Sequence, residues 1–159
     1  MLEKYENETT QYILEYKEVA IAEMQRTGIP ASIKLAQAII ESNKGLSNLA
    51  QESNNHFGIK CKSYWKGETF YHKDDDRNEE GKLIKSCFRA YPRVFDSYID
   101  HSNFIKNSPG YWWLFNIEKT NYRRWAEGIQ LNGYATDPNY AKKMIRIIEQ
   151  YELNKYDNL

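Results

Sequence analysis
Apolar side chains recur at helical spacing from the start of the chain. Ile13, Tyr16, Ala20 and Met24 predict a helix over 8–26, which Gly28 stops. Pro30 predicts the first position of a second helix, where its missing N–H costs nothing. That helix runs through ASIKLAQAIIES and ends near Gly45, and a short third one is expected at about 48–52. The pattern then changes period. GETFYHK and KLIKSCFRAY read as strands, with the acidic stretch DDDRNEEG as the hairpin end, so a β-hairpin is expected at about 64–91. Helical spacing returns after Pro92 with Val94, Tyr98 and Ile105. NYRRWAEGIQLNG reads as a short helix closed by Gly133. Asp137 and Pro138 predict the N-cap and first position of a last helix, with the stripe Ala141, Met144, Ile145, Ile148 and Tyr151. A helical domain interrupted once by a β-hairpin is an α+β fold, expected as one domain over residues 1–159.

The second helix carries the most informative conflict. Ile33, Ala36, Ile39 and Ile40 share one face, and Glu41 lies away from it, in line with Lys34 and Gln37. Periodicity alone therefore makes Glu41 a solvated residue. Two details oppose that reading. Leu35 and Ala38 extend the apolar surface around the helix, as in an element covered on several sides. A carboxylate in the last turn also faces the negative end of the helix dipole, which disfavours the anion and raises its proton affinity. A general acid needs that shift to hold its proton near neutral pH.

Composition narrows the function. With 159 residues and 41% hydrophobic content, the chain suits one hydrophobic core. Lys plus Arg and Asp plus Glu balance at 22 each, without the basic excess of a nucleic-acid binder. No stretch approaches the roughly 18 apolar residues of a membrane span. The N-terminus MLEKYENETT lacks the apolar core of a secretory leader, so either the protein stays inside or a leader is absent from this chain. Cys61 and Cys87 are too few for a disulfide scaffold, and with His56, His72 and His101 scattered they form no zinc pattern. The plainer reading is two buried free thiols; the alternative is one disulfide in an exported protein. Cys61 enters the β-lobe and Cys87 lies on the return strand, so the two are expected close together, within the about 7 Å that a bridge allows.

PASIKLAQAIIES, followed in order by NNHFGIK, FRAYP, WAEGI and GYATDPNYA, resembles the family-73 glycoside hydrolases, the peptidoglycan-cleaving endo-β-N-acetylglucosaminidases related to the flagellar rod-cap muramidase. The likeness covers nearly the whole chain, and NNHFGIKC, DDD and CFRAY are most similar to the Bacteroidetes members. The resemblance implies a lysozyme-like fold, a helical lobe and a hairpin lobe flanking a cleft, with Glu41 as general acid. It places a second carboxylate on the hairpin, where this chain offers Asp74, Asp75 and Asp76; Asp75 is preferred, then Asp76. Attack by the substrate's own N-acetyl group is the alternative to that carboxylate. Tyr134 is implied at the cleft near the acid, and Asn55, Phe57 and Tyr140 as substrate-binding residues. Trp125 is expected as a buried brace, Trp113 and Phe115 in the core, and His101 in a structural hydrogen bond.

Two departures stand out: Ser42, Asn43 and Lys44 replace the glycine and aromatic of many relatives, and His56 replaces leucine. The expected partner is peptidoglycan, met by a monomer in the cell envelope (periplasmic or secreted) or by a protein that stays in the cytoplasm. No cofactor or metal is expected. A lysozyme or lytic transglycosylase and a non-catalytic glycan-binding module are the competing readings. The helix end at Gly45 is expected to open onto the cleft, with a carboxylate gap of about 6.5–9.5 Å or more.

Overall fold
The computed structural model describes residues 7–159, with Asp74, Asp75 and Asp76 described as strand backbone alone. Helix α1 spans Glu8–Thr27; the Asn7 side chain accepts from the Thr10 amide at 2.8 Å, and Gly28 closes the helix at φ 91°. Helix α2 spans Ala31–Ser42, one residue later than expected, because Pro30 is its N-cap. Its last residue, Ser42, lies three residues before Gly45, and Asn43 caps it in the left-handed conformation. Helix α3 covers Asn48–Ser53. Strands β1 (Thr69–Arg77) and β2 (Leu83–Arg89) pair antiparallel, with the register interrupted between Lys73 and Arg77. Helices α4 (Val94–Asn107), α5 (Tyr122–Leu131) and α6 (Tyr140–Gln150) follow. Tight helical turns at Trp112–Asn116 and Leu153–Asn158 complete the chain, and neither was marked by apolar periodicity.

The expected start of the last helix is corrected by two residues. The Asp137 side chain accepts from the Asn139 amide at 2.8 Å, and its carbonyl accepts from Tyr140. Asp137 and Pro138 thus form a turn closed on the aspartate's own side chain, which competes with helical capping, and α6 starts only at Tyr140.

α2 is the axis of the helical lobe, packed against α1, α5, α6 and the C-terminal turn. Every residue from Ala31 to Ile39 is buried. Its N-terminus receives the Asp157 carboxylate, which accepts from the Ser32 amide and hydroxyl at 2.8 and 2.6 Å. Trp125 is fully buried, as expected, while Trp113 and Phe115 pack on the edge of the core. The β-lobe gains a third edge from residues 59–61: the Arg89 amide donates to the Ile59 carbonyl, and the Cys61 amide to the Cys87 carbonyl. Cys61 and Cys87 are joined in a disulfide with their Cα atoms 5.4 Å apart, so they are neighbours as expected but not free thiols.

Candidate active site
Glu41 occupies the last turn of α2, half-buried, at the wall of a cavity of about 610 Å³. The opposite walls come from the Phe57–Lys60 loop, Phe104 of α4, and the Gly133–Thr136 segment between α5 and α6. Glu41 is thus where the helical lobe meets the β-lobe. Gly45 faces elsewhere, towards Tyr12 and His56, so the cleft opens at the side of the α2 terminus and not at its tip.

The carboxylate is held from within the protein. The Tyr140 hydroxyl donates to Glu41 Oε2 at 2.8 Å, and the Gln37 amide donates to the Tyr140 oxygen at 3.4 Å. Burial, and then the nearby Tyr134 and Glu41, push the Tyr140 phenol well above its ordinary range, so it remains a donor. Tyr134 lines the cavity, stacks on Tyr140 with ring centroids 5.8 Å apart, and meets His101 edge-on at 5.9 Å. Burial first, and the Glu41 charge second, likewise keep its hydroxyl protonated. At Gly58 the backbone has φ 65°, a left-handed turn that glycine adopts without strain, and this turn carries the loop alongside Glu41 Oε1.

Phe57 forms part of the wall. Asn55 does not. It is buried, and its amide donates to the Ile59 and Arg89 carbonyls at 3.0 and 2.8 Å while accepting from the Phe57 and Ile59 amides. With its hydrogen-bonding capacity used internally, Asn55 shapes the loop that carries Phe57 and Gly58. Under that loop lies a buried pair that periodicity missed. The Lys34 ammonium donates to the Tyr98 carbonyl at 2.7 Å and meets His101 Nδ1 at 2.8 Å, 4.9 Å from the Phe57 ring centre. Burial drives the Lys34 and His101 pKa values well below their ordinary ranges. His101 therefore serves structurally, as expected, bracing Phe57 by a ring stack at 4.0 Å. Asp74, Asp75 and Asp76 lie outside the described side chains, and only their place in β1 is given. Among the described residues, no group of three or more histidines, cysteines or acids could hold a metal ion.

The family described as mannosyl-glycoprotein endo-β-N-acetylglucosaminidase, the glucosaminidase family, matches over residues 17–153. The exo-glucosaminidase LytG of Bacillus subtilis is 37% identical over 131 residues, covering 80% of this chain and 46% of LytG. The peptidoglycan hydrolase FlgJ of Escherichia coli K12 is 33% identical over 131 residues, covering 79% of this chain and 41% of FlgJ. The chain thus spans less than half the length of either relative. Among solved structures, the catalytic domain of the autolysin Auto from Listeria monocytogenes superposes with a TM-score of 0.79 at 28% identity, covering 95% of this chain and 88% of that one.

Proposed function
This chain belongs to the glucosaminidase family, and on that premise we propose that it hydrolyses peptidoglycan, cutting the β-1,4 bond after N-acetylglucosamine with Glu41 as general acid. The observation that carries the reading is the carboxylate itself: half-buried, at the end of a buried helix, at the edge of a cavity and gripped on one oxygen by a buried tyrosine. In this reading Glu41 protonates the departing glycosidic oxygen. Asp75, or its neighbours Asp76 and Asp74, activates water or steadies the positive charge that develops at the anomeric carbon. Tyr140 fixes the acid's rotamer, and Tyr134 offers its hydroxyl to the sugar's acetamido group; Phe57 supplies an apolar wall for the ring. The names of the relatives support a cell-envelope site of action, and the protein is proposed to work as a monomer and as a single catalytic domain.

Mass spectrometry of fragments released from purified peptidoglycan tests the proposal. Wild type should yield products with N-acetylglucosamine at the reducing end, and Glu41→Gln should lose about 10²–10⁴-fold in turnover while melting normally. Muramic acid or its anhydro form at the reducing end would replace this reading with a lysozyme or lytic transglycosylase. Fragments of several repeats indicate the endo attack proposed here; single disaccharides would indicate exo attack. Separate Asp→Asn changes at positions 74, 75 and 76 identify the second carboxylate. Full activity in all three would leave the N-acetyl group of the substrate as nucleophile.

A further inference from the structure
Beside the Glu41 cavity lies a second depression of about 320 Å³, lined by Tyr64, Arg89, Asn103, Phe104, Asn107 and Ser108 among others. Phe104 lines both, so the two depressions adjoin, with that ring at the threshold. Lys60 and Lys62 line the catalytic side, and the Lys62 ammonium stands 5.8 Å from the Phe104 ring centre. Lys62 is exposed and held at φ 58°, a left-handed conformation that a lysine adopts at some cost. The disulfide at Cys61, next in the chain, ties that backbone to β2.

Arg89, which lines the second depression, is already neutralised. Its guanidinium donates to Asp100 at 2.9 Å and to the Tyr64 hydroxyl at 3.1 Å, and it lies 4.7 Å from the Trp65 ring centre. Asp100 also accepts from the Tyr91 hydroxyl at 2.6 Å. The arginine thus steadies the groove floor and its Tyr64 rim. Lys62 has no carboxylate partner among the described residues, so an incoming anion would meet it.

In a cleft for an amino-sugar polymer, Lys62 meets no counter-charge on the sugar rings, whose hydroxyls and acetamido groups are neutral. The anions of intact peptidoglycan are the carboxylates of the peptide attached through the lactyl ether of muramic acid. Resting on the hydrolase reading for its substrate, we propose that the groove beyond Phe104 binds this stem peptide, with Lys62 pairing with one of its carboxylates. The N–H of the Asn103 amide, whose oxygen already accepts from Arg26 at 3.1 Å, the Asn107 amide and the Ser108 hydroxyl suit peptide C=O and N–H groups, and the exposed Tyr64 ring covers aliphatic side chains. The groove thereby selects stem-bearing strands over bare glycan.

The test uses Glu41→Gln, which leaves strands uncut, titrated calorimetrically with soluble glycan fragments bearing stem peptides and with the same fragments after an amidase has removed them. Stem-bearing fragments should bind about fivefold more tightly or better, the scale of one partly exposed charge pair. That margin should shrink with added salt and vanish when Lys62→Glu is introduced. Equal affinity for both fragments, or no measurable binding of either, overturns the proposal. So does a margin that survives Lys62→Glu, or binding of amidase-treated fragments that is itself salt-sensitive and lost with Lys62→Glu, which would assign the contact to the lactyl carboxylate that the amidase frees. Failure of the wild type to cut peptidoglycan, with the margin intact, sinks the hydrolase reading and leaves the peptide site standing.

Discussion
Lys34, Gln37 and Glu41 form one polar stripe on α2, and each of the three has a defined task. Lys34 ties α2 to α4 through Tyr98 and His101, Gln37 supports Tyr140, and Glu41 meets the cavity. Apolar periodicity places all three off the apolar face, because it credits a polar side chain only to water. The stripe is instead covered by α4, α6 and the Phe57 loop, whose own polar atoms supply the partners; that information is not in any local window. Glu41 stands out in the sequence through its place in the last turn and through motif likeness, and its side chain does line the cavity. The use of Asn55 inside its loop was not legible, since a buried and a sugar-facing asparagine read alike. Tyr134 gives the sharpest test at this scale. Its ring packs on Tyr140 and His101, contacts that phenylalanine keeps, while its protonated hydroxyl belongs to a residue lining the cavity. Tyr134→Phe should therefore lower kcat about tenfold or more while shifting the melting temperature little. A lowered melting temperature with unchanged kinetics would make the residue a packing element only.

Among the elements, the hairpin and the helices were legible wherever an apolar period and a stop residue coincide, as at Gly28 and Gly133. They were misplaced where a side chain bonds its own turn: Asp137 capped a turn instead of α6. The cysteine pair had two readings from sequence, and chain topology decided between them by laying residues 59–61 along β2. The disulfide has consequences for the element it anchors. Cys61 sits between Lys60 and Lys62, both at the cleft, so the bond ties one cleft wall to the β-lobe. With a sequence separation of 26 it also removes about 3.5 kcal/mol of loop-closure freedom from the unfolded chain. Reduction, or the double change Cys61→Ser and Cys87→Ser, should lower the melting temperature by several degrees. It should also raise KM for peptidoglycan more than it lowers kcat, because Glu41 and Tyr140 stay on the helical lobe. A melting curve indifferent to reductant would show that the bond contributes nothing to stability.

For the whole molecule, the balanced charge hides buried groups that respond to acid in opposite senses. His56 joins α1, the cleft loop and α4, with Nδ1 2.7 Å from the Tyr12 hydroxyl, which is itself 2.7 Å from the Tyr98 hydroxyl. Burial lowers its pKa from 6.5 to about 4. The unfolded chain therefore binds a proton that the folded one refuses, and stability from this group falls as pH drops from 6.5 to 4, by about 3 kcal/mol in all. His101, buried and also lowered, acts in the same direction. Asp157 opposes them: burial raises its pKa from 3.8 to about 6, despite its bonds to Ser32, so the folded chain holds that proton more tightly and gains stability as pH falls from about 6 to 4. Wild type should consequently show a shallow acid limb across this window, the sum of cancelling slopes. His56→Leu removes one term and leaves Asp157 in place. Its melting temperature relative to wild type should climb steadily as the buffer is taken from pH 6.5 to 4, whatever the offset at neutral pH from losing the Tyr12 bond. Asp157→Asn, which keeps an acceptor for Ser32, should do the reverse and steepen the acid loss. Two parallel lines in place of diverging ones would show that neither group titrates differently on folding, and that acid stability is set by the surface alone.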